Sequence, residues 1–195
     1  ASCQEIIRRY YEAKAGVLDG VRKEEEVYKI ELLMKQLHIT TTDRVVVTPA
    51  LNRAEETGSP AAAMELPDGR IVCGKTSDLL GASAALLLNA LKELAGIDHK
   101  LHVISPASIE PIQTLKTAYL GSKNPRLHTD EVLIALSSSA ASSKEAQKAL
   151  SQLPKLKGCQ VHTSVMLSKV DVGIFKRLGV QLTSEPRYEH KSMLH

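Results

Sequence analysis

The stretch AAAMELPDGRIVC, residues 61–73, decides the fold class of this chain. Two short segments, 61–66 and 70–73, flank Pro67-Asp68-Gly69, which is a typical turn sequence between two strands. The stretch therefore predicts a β-hairpin. The next segment, residues 79–95, is apolar on most of a helical circumference and is followed by Gly96. This pattern predicts a helix that is buried on more than one side, against a sheet or another subunit.

Outward from this hairpin, short β-branched segments alternate with segments of helical period. The predicted strands are residues 44–48, 101–104, 160–167 and 180–183, and the predicted helices are residues 108–119, 129–139, 143–153 and 169–178. Such an alternation is typical of an α/β fold. We therefore expect a mixed, largely parallel sheet covered by helices.

The first forty residues have a different pattern. Ser2 and Glu5 have the spacing of a capping box, and residues 3–17 follow with helical period. A second apolar stripe predicts a helix over residues 23–37. We therefore divide the chain into a helical hairpin, residues 1–40, and an α/β domain, residues 41–195.

Composition and charge exclude several classes of protein. The net charge of +3 is small, and one Phe, five Tyr and no Trp offer few stacking surfaces, so a nucleic-acid partner is not expected. The longest apolar run is too short to cross a bilayer, so no membrane partner is expected either. Three cysteines without a CxxC pair indicate neither a disulfide framework nor a zinc finger. A reducing compartment fits best, and we expect a cytoplasmic protein.

Residues 69–76, GRIVCGKT, match the spacing of a nucleotide-binding phosphate loop. The four residues inside the motif favour an extended strand over an anion-binding loop, so we prefer the hairpin interpretation. A weaker version remains open, in which Lys75, Thr76 and Ser77 hold an anion at the N-terminus of the following helix. The alternative is that Thr76 or Ser77 only caps that helix.

The second candidate segment is the polar loop of residues 121–130. Arg126 could bind a carboxylate or phosphate through two hydrogen bonds, with Asn124 beside it. His128, next to Asp130, could act as an oriented base. A solvated loop that ends in a helix cap explains the same residues, and both interpretations stay open.

The histidines and cysteines offer little further chemistry. His162 is predicted in a strand, where a structural histidine with satisfied nitrogens is the favoured interpretation. No set of His, Cys and acidic residues has the spacing of metal ligands, so no metal site is predicted.

Four segments resemble a known family: QEIIRRYY at residues 4–11, LPDGRIV at 66–72, GKTS at 74–77 and GSKNPRLH at 121–128. The chain resembles the C-terminal portion of the conserved bacterial proteins grouped as domain of unknown function 1846, also called uncharacterised protein family 0371. Members are longer, so the resemblance implies a missing N-terminal domain as a partner. Some members have been labelled ATP-dependent peptidases, but no catalytic or binding residue can be carried over.

Three functional hypotheses follow. The first is a domain that binds a small anionic or phosphorylated ligand, at a cleft shared with the missing N-terminal domain. Lys75, Thr76 and Ser77 would converge there with Asn124, Arg126 and His128. The second is a structural or oligomerisation domain, in which the hairpin or residues 79–95 contact another subunit. The third is part of an ATP-dependent enzyme that uses residues 69–76, and it fails if residues 70–73 form a paired strand.

Overall fold

The computed structural model describes residues 2–189. Most of the predicted helices and strands are present in this part of the chain, but a helix over Val47–Thr57 was not predicted, and the helix Pro106–Thr114 continues into a π-helical turn, Leu115–Tyr119. The helices are α1 Cys3–Leu18, α2 Glu24–Gln36, α3 Val47–Thr57, α4 Ala82–Leu94, α5 Pro106–Thr114, α6 Thr129–Ser139, α7 Lys144–Leu150 and α8 Lys169–Arg177. The strands are β1 Ala61–Glu65, β2 Ile71–Lys75, β3 Gln160–Thr163 and β4 Gln181–Ser184.

The four strands form one mixed sheet in the order β2-β1-β3-β4. The α/β class, the mixed sheet and the N-terminal helical hairpin are confirmed. The sheet is not largely parallel, however, because β1 is antiparallel to both β2 and β3, and only β3 and β4 run parallel. The tight turn between β1 and β2 imposes an antiparallel pair, whereas helix α8 supplies the crossover that a parallel pair needs.

Two predicted strands are wrong. Residues 44–46 form a turn, and α3 begins at Val47 with Pro49 in its first turn, where a missing N–H donor costs no hydrogen bond. Residues 101–104 are irregular, although Val103 and Ile104 are buried in the main core. Val46, Val47, Val103 and Ile104 are buried, so in both segments β-branched residues contribute to the core without pairing in a strand.

The helices cover both faces of the sheet. Ala62 and Met64 of β1 belong to the main core together with α4, whereas Ala63, which alternation places on the other face, packs with Val46 and Ala50 at α3. Helix α4 lies so close to β2 that a Cβ on Gly74 would stand 2.3 Å from the Leu86 backbone nitrogen. Glycine at this position therefore sets the distance between helix and sheet.

Helix α1 packs on the α3 side of the sheet through a buried polar network. His162 is fully buried, with Nδ1 2.7 Å from Thr183 Oγ1, Nε2 3.1 Å from Glu185 Oε1, and its ring 4.8 Å from that of Tyr11. Both ring nitrogens thus have partners, as the structural interpretation predicts.

Arg44 completes this network. Its guanidinium is fully buried and donates to Thr183 Oγ1, to the side chain of Gln160 and to the backbone oxygens of Val161 and Gln181. Burial lowers the pKa of Arg44 to about 10. Arg44 therefore ties the turn before α3 to the parallel strand pair.

Candidate functional site

The candidate site is the loop of residues 121–128, which Lys116 holds in place. Lys116 lies in the π-helical turn and is buried; its Nζ donates to the Arg126 backbone oxygen and, at 2.8 Å, to Glu131 Oε1. Its own backbone oxygen accepts from the Ser122 N–H. One lysine therefore fixes both ends of the loop, and short π-helical turns are frequent at functional sites.

The loop packs along the segment between β2 and α4. The Leu127 N–H donates to the Leu79 oxygen at 2.9 Å, and the Gly81 N–H donates to the Leu127 oxygen at 3.1 Å. Beside these bonds, Arg126 Nε donates to the backbone oxygen of Ser77. The structure thus brings Ser77 and Arg126 together, as the convergence hypothesis requires for this pair.

His128 is the N-cap of α6 and contacts a buried carboxylate of α8. Its Nδ1 lies 3.3 Å from Asp171 Oδ2, and Asp171 is only 5% exposed. The same carboxylate accepts from the Thr129 N–H at 2.9 Å, from Thr129 Oγ1 at 2.7 Å and from Ser83 Oγ at 3.1 Å. Three helices therefore meet at Asp171, and His128 is the member of this cluster nearest the surface.

The partner predicted from the sequence was different. Asp130, the neighbour expected to orient His128, instead accepts from the Glu131 N–H at 2.8 Å. The residue that orients the imidazole is Asp171, which lies 43 positions away in the sequence.

Electrostatics at this cluster define which ring nitrogen can act. Burial alone would raise the pKa of Asp171, but the hydrogen bonds from His128 and Thr129 outweigh it and lower that pKa to about 2. The hydrogen bond to Asp171 in turn raises the pKa of His128. An ionised Asp171 beside Nδ1 favours a proton on that nitrogen, and Nε2 has no hydrogen-bond partner among the described contacts. The side chain of His128 is 33% exposed, as a ligand-binding role requires.

The segment Lys75 to Ser77 does not lie at a helix N-terminus, so that part of the prediction is wrong. Strand β2 ends at Lys75, and α4 begins only at Ala82, with Gly81 as its N-cap. The Ser77 hydroxyl instead accepts from the two N–H groups of residues 79 and 80.

The other predicted residues are placed as follows. Gly74 faces α4, so alternation places Lys75 on the opposite face of the sheet, away from the α4 side on which His128 lies. The Thr76 N–H donates to the Pro60 oxygen at 2.9 Å. Asn124 Oδ1 accepts from the Arg126 N–H at 3.1 Å and so helps to shape the loop.

The phosphate-loop interpretation of residues 69–76 is also wrong. Strand β2 occupies most of the motif and pairs with β1, with Gly74 opposite Ala62. Gly74 is required by its contact with α4 rather than by a bound phosphate. The ATP-dependent enzyme hypothesis therefore loses the segment on which it rested.

Sequence reasoning missed Asp171, Lys116 and Ser83. Asp171 follows the N-cap Ser168 by three positions, and its N–H donates to Ser168 Oγ. The sequence around Asp171 therefore indicates a helix start and nothing more. Lys116 has the appearance of a solvated helical lysine in the sequence. Only the tertiary fold brings these residues to the loop.

Two grooves lie elsewhere on the surface. One, of about 460 Å³, lies between α1 and α2, and the other, of about 570 Å³, lies beside β2 and the end of α4. Neither is lined by His128 or Arg126. Within residues 2–189, no three His, Cys, Asp or Glu side chains are grouped so that they could hold a metal ion. No helix in the same range is long and apolar enough to cross a membrane.

Comparison with known proteins assigns the family. The family model "Domain of unknown function DUF1846, C-terminal" matches residues 42–194. A UPF0371 protein of Corynebacterium glutamicum is 56% identical over 196 residues, one of Corynebacterium aurimucosum 58% over 200, and one of Streptococcus pyogenes 47% over 193. These matches cover 99–100% of the chain but only 39% of each relative. The resemblance noted from the sequence is thus confirmed, and the chain belongs to the DUF1846 family, of which it contains the C-terminal domain.

Proposed function

We propose that this domain contributes half of a binding site for a small anionic or phosphorylated ligand, in a cleft shared with the N-terminal domain of the full-length protein. His128 would contact the ligand through Nε2, and Arg126 would bind its negative charge. The observation that carries the proposal is the contact between His128 Nδ1 and the buried carboxylate of Asp171. A buried carboxylate that orients a partly exposed histidine is an arrangement used for anion binding and proton transfer.

Two features of the loop support this function. Arg126 uses only Nε for its contact with Ser77, so its terminal nitrogens are left to form the paired hydrogen bonds that carboxylates and phosphates accept. Lys116 and Asn124 hold the loop backbone, so little conformational entropy remains to be lost when a ligand binds. A rigidly held polar loop is where binding residues are commonly found.

The remaining predicted residues have smaller roles in this proposal. Ser77 adjoins Arg126 directly and would border the ligand, and Thr76 precedes it. Lys75 has no direct role in this proposal, because its side chain lies on the other face of the sheet. We also propose that residues 1–40 form a connecting hairpin and that residues 41–195 form the ligand-binding domain. The protein would be cytoplasmic.

Thermal unfolding with a ligand panel tests the function. The full-length protein and this chain would be heated with inorganic phosphate, nucleotides, phosphorylated sugars and organic acids. A ligand at about 100 times its Kd adds about 2.7 kcal/mol to the free energy of unfolding. For a domain of this size, that corresponds to about 5–10 °C in Tm.

Matched variants assign such a shift to the loop. The variants Arg126→Ala and His128→Asn should abolish the shift. The controls are Arg53→Ala and His99→Asn, which change a partly exposed arginine and a largely exposed histidine elsewhere. These controls should leave the shift intact. A shift that persists in Arg126→Ala and His128→Asn contradicts the proposal. A panel without any shift for the full-length protein contradicts it as well.

A structural or oligomerisation role is the second candidate function. The observation that favours it is the exposure of large apolar side chains on α2, such as Tyr28 at 70% and Leu32 at 58%. Helix α4, the other element considered for subunit contacts, is instead buried within the domain. Light scattering over a range of protein concentrations would test this role, and a strictly monomeric full-length protein would contradict self-association.

A further inference from the structure

Helix α2 packs only lightly on the rest of the described structure. Of its thirteen residues only Met34 is buried. Four large apolar side chains on or directly after the helix are exposed: Tyr28, Leu32, Leu33 and Leu37, at 70%, 58%, 41% and 52%. We call these four residues the α2 face.

The α2 face is unusual for a surface helix. Tyr28 and Leu32 are one helical turn apart, as are Leu33 and Leu37, so each pair forms a short apolar ridge. An isolated helix of thirteen residues is marginal in water, and most helical stability comes from the burial of an apolar stripe. At about 100° per residue the two ridges lie roughly 140° apart around the helix, so they flank the outer surface of α2 and do not form a single stripe. Exposed apolar ridges of this kind mark contact surfaces.

A groove of about 460 Å³ also lies between α2 and α1, although none of the four α2-face residues lines it. Tyr10, Met34 and Ile39 line it with apolar surface, while Glu31, Lys35 and His38 are among its polar lining residues. The groove is a second surface beside α2 that a partner could contact.

The relatives indicate what covers this surface. Their match to the chain includes the hairpin, but it spans only 39% of their length. The C-terminal domain model begins at residue 42, so the hairpin lies on the side of that domain from which the rest of the relatives extends. The larger part of each relative therefore connects to α1, directly beside α2.

We infer that the α2 face is the docking surface for the N-terminal portion of the full-length protein. The hairpin then acts as an adaptor, with α1 packed on the sheet through Tyr11 and with α2 packed against the N-terminal portion. The inference does not rest on the proposed ligand site, because α1 and α2 lie on the opposite face of the sheet from α4, α6 and α8. The N-terminal portion makes up more than half of each relative, so it is large enough to reach both α2 and the loop of residues 121–128.

Hydroxyl-radical footprinting of the full-length protein tests the inference. Leu32 and Leu101 form a matched pair, since they are 58% and 45% exposed in the C-terminal portion and Leu101 follows the end of α4 that is farther from the candidate site. Docking predicts that Leu32 is modified several-fold less than Leu101, to the same extent at low and high protein concentration. Equal modification of the two leucines would overturn the inference. Protection of Leu32 that appears only at high concentration would also overturn it, because the α2 face would then contact a second copy.

A pair of variants provides an independent readout. In the full-length protein, Leu32→Ser should lower the Tm and increase proteolysis between the two portions, because it removes an apolar side chain from the interface. Ile134→Ser, which changes an apolar residue 67% exposed on α6, should do neither. In the C-terminal chain alone, both substitutions should leave the Tm nearly unchanged, because both residues are exposed there. Equal effects of the two variants in the full-length protein would contradict docking on α2.

Discussion

The substitution Asp171→Asn should both destabilise the domain and change the titration of His128. Four donor atoms converge on the Asp171 carboxylate, from Ser83, His128 and Thr129. Burial raises the pKa of Asp171, but the hydrogen bonds from His128 and Thr129 outweigh it and lower that pKa from 3.8 to about 2. At 1.36 kcal/mol for each pKa unit, this shift corresponds to about 2 kcal/mol of stability.

Asparagine would lose that contribution and add a penalty. Its amide nitrogen cannot accept the hydrogen bonds of the carboxylate oxygen that it replaces, so at least one buried donor would be left unpaired. We therefore expect a loss of about 2–4 kcal/mol, which corresponds to about 5–15 °C in Tm. Because the folded pKa of Asp171 is depressed, this stability is present above pH 3.8 and is lost as the pH falls through about 2.

Urea unfolding and NMR titration of the histidine rings would measure the two effects. In Asp171→Asn the pKa of His128 should fall, because the hydrogen bond that raises it is gone. Asp130→Asn is the matched control. Asp130 lies two positions after His128 in the sequence, but among the described contacts its side chain accepts only from a backbone N–H. If the two variants lost the same stability, or if Asp171→Asn left the pKa of His128 unchanged, the orienting role of Asp171 would be refuted.

Three further predictions concern the scaffold. Gly74→Ala should cost about 3 kcal/mol because its Cβ would meet the Leu86 backbone, whereas Gly173→Ala in α8, which has open space, should be neutral or stabilising; urea unfolding of both would show this. Arg44→Lys should cost about 2–4 kcal/mol, since one ammonium cannot reach the four acceptors of the guanidinium, and a cost as small as that of Arg53→Lys would contradict this. Burial lowers the pKa of His162, so its neutral form contributes stability above pH 6.5 that is lost as the pH falls towards the folded pKa. His162→Gln should remove this pH dependence. The free energy of unfolding would be measured at about pH 7.5 and about pH 5, and its fall between the two pH values should be larger for the wild type than for the variant.

Much of the fold could be predicted because local sequence determines it. The turn Pro67-Asp68-Gly69 allows only a tight antiparallel connection, and the apolar segment after it can only be a buried helix. Strand direction across the sheet was harder to predict, since it depends on which strands become neighbours. Residues 44–48 were misassigned because β-branched side chains indicate burial as well as strand pairing, and here α3 begins at Val47 with Pro49 in its first turn.

The candidate site was only partly accessible from the sequence. The polar loop could be recognised because five hydrogen-bonding side chains fall within a few residues of a helix start. Its orienting acid could not, because Asp171 is brought to His128 by the packing of α6 on α8 and no local pattern links them. Lys75 was misplaced for a related reason: the end of β2 and the start of α4 are separated by a short loop, so Lys75 is not part of a helix terminus.

The most direct test of the account is an NMR titration of the full-length protein with inorganic phosphate, observed at the imidazole resonances of His128 and His99. Both residues lie beside an acidic side chain, but His99 is largely exposed and far from the loop in sequence. The account predicts a saturable shift of the His128 resonances, abolished by Arg126→Ala, with no comparable shift of His99. Equal responses of the two histidines, or no response of His128, would contradict an anion site at this loop.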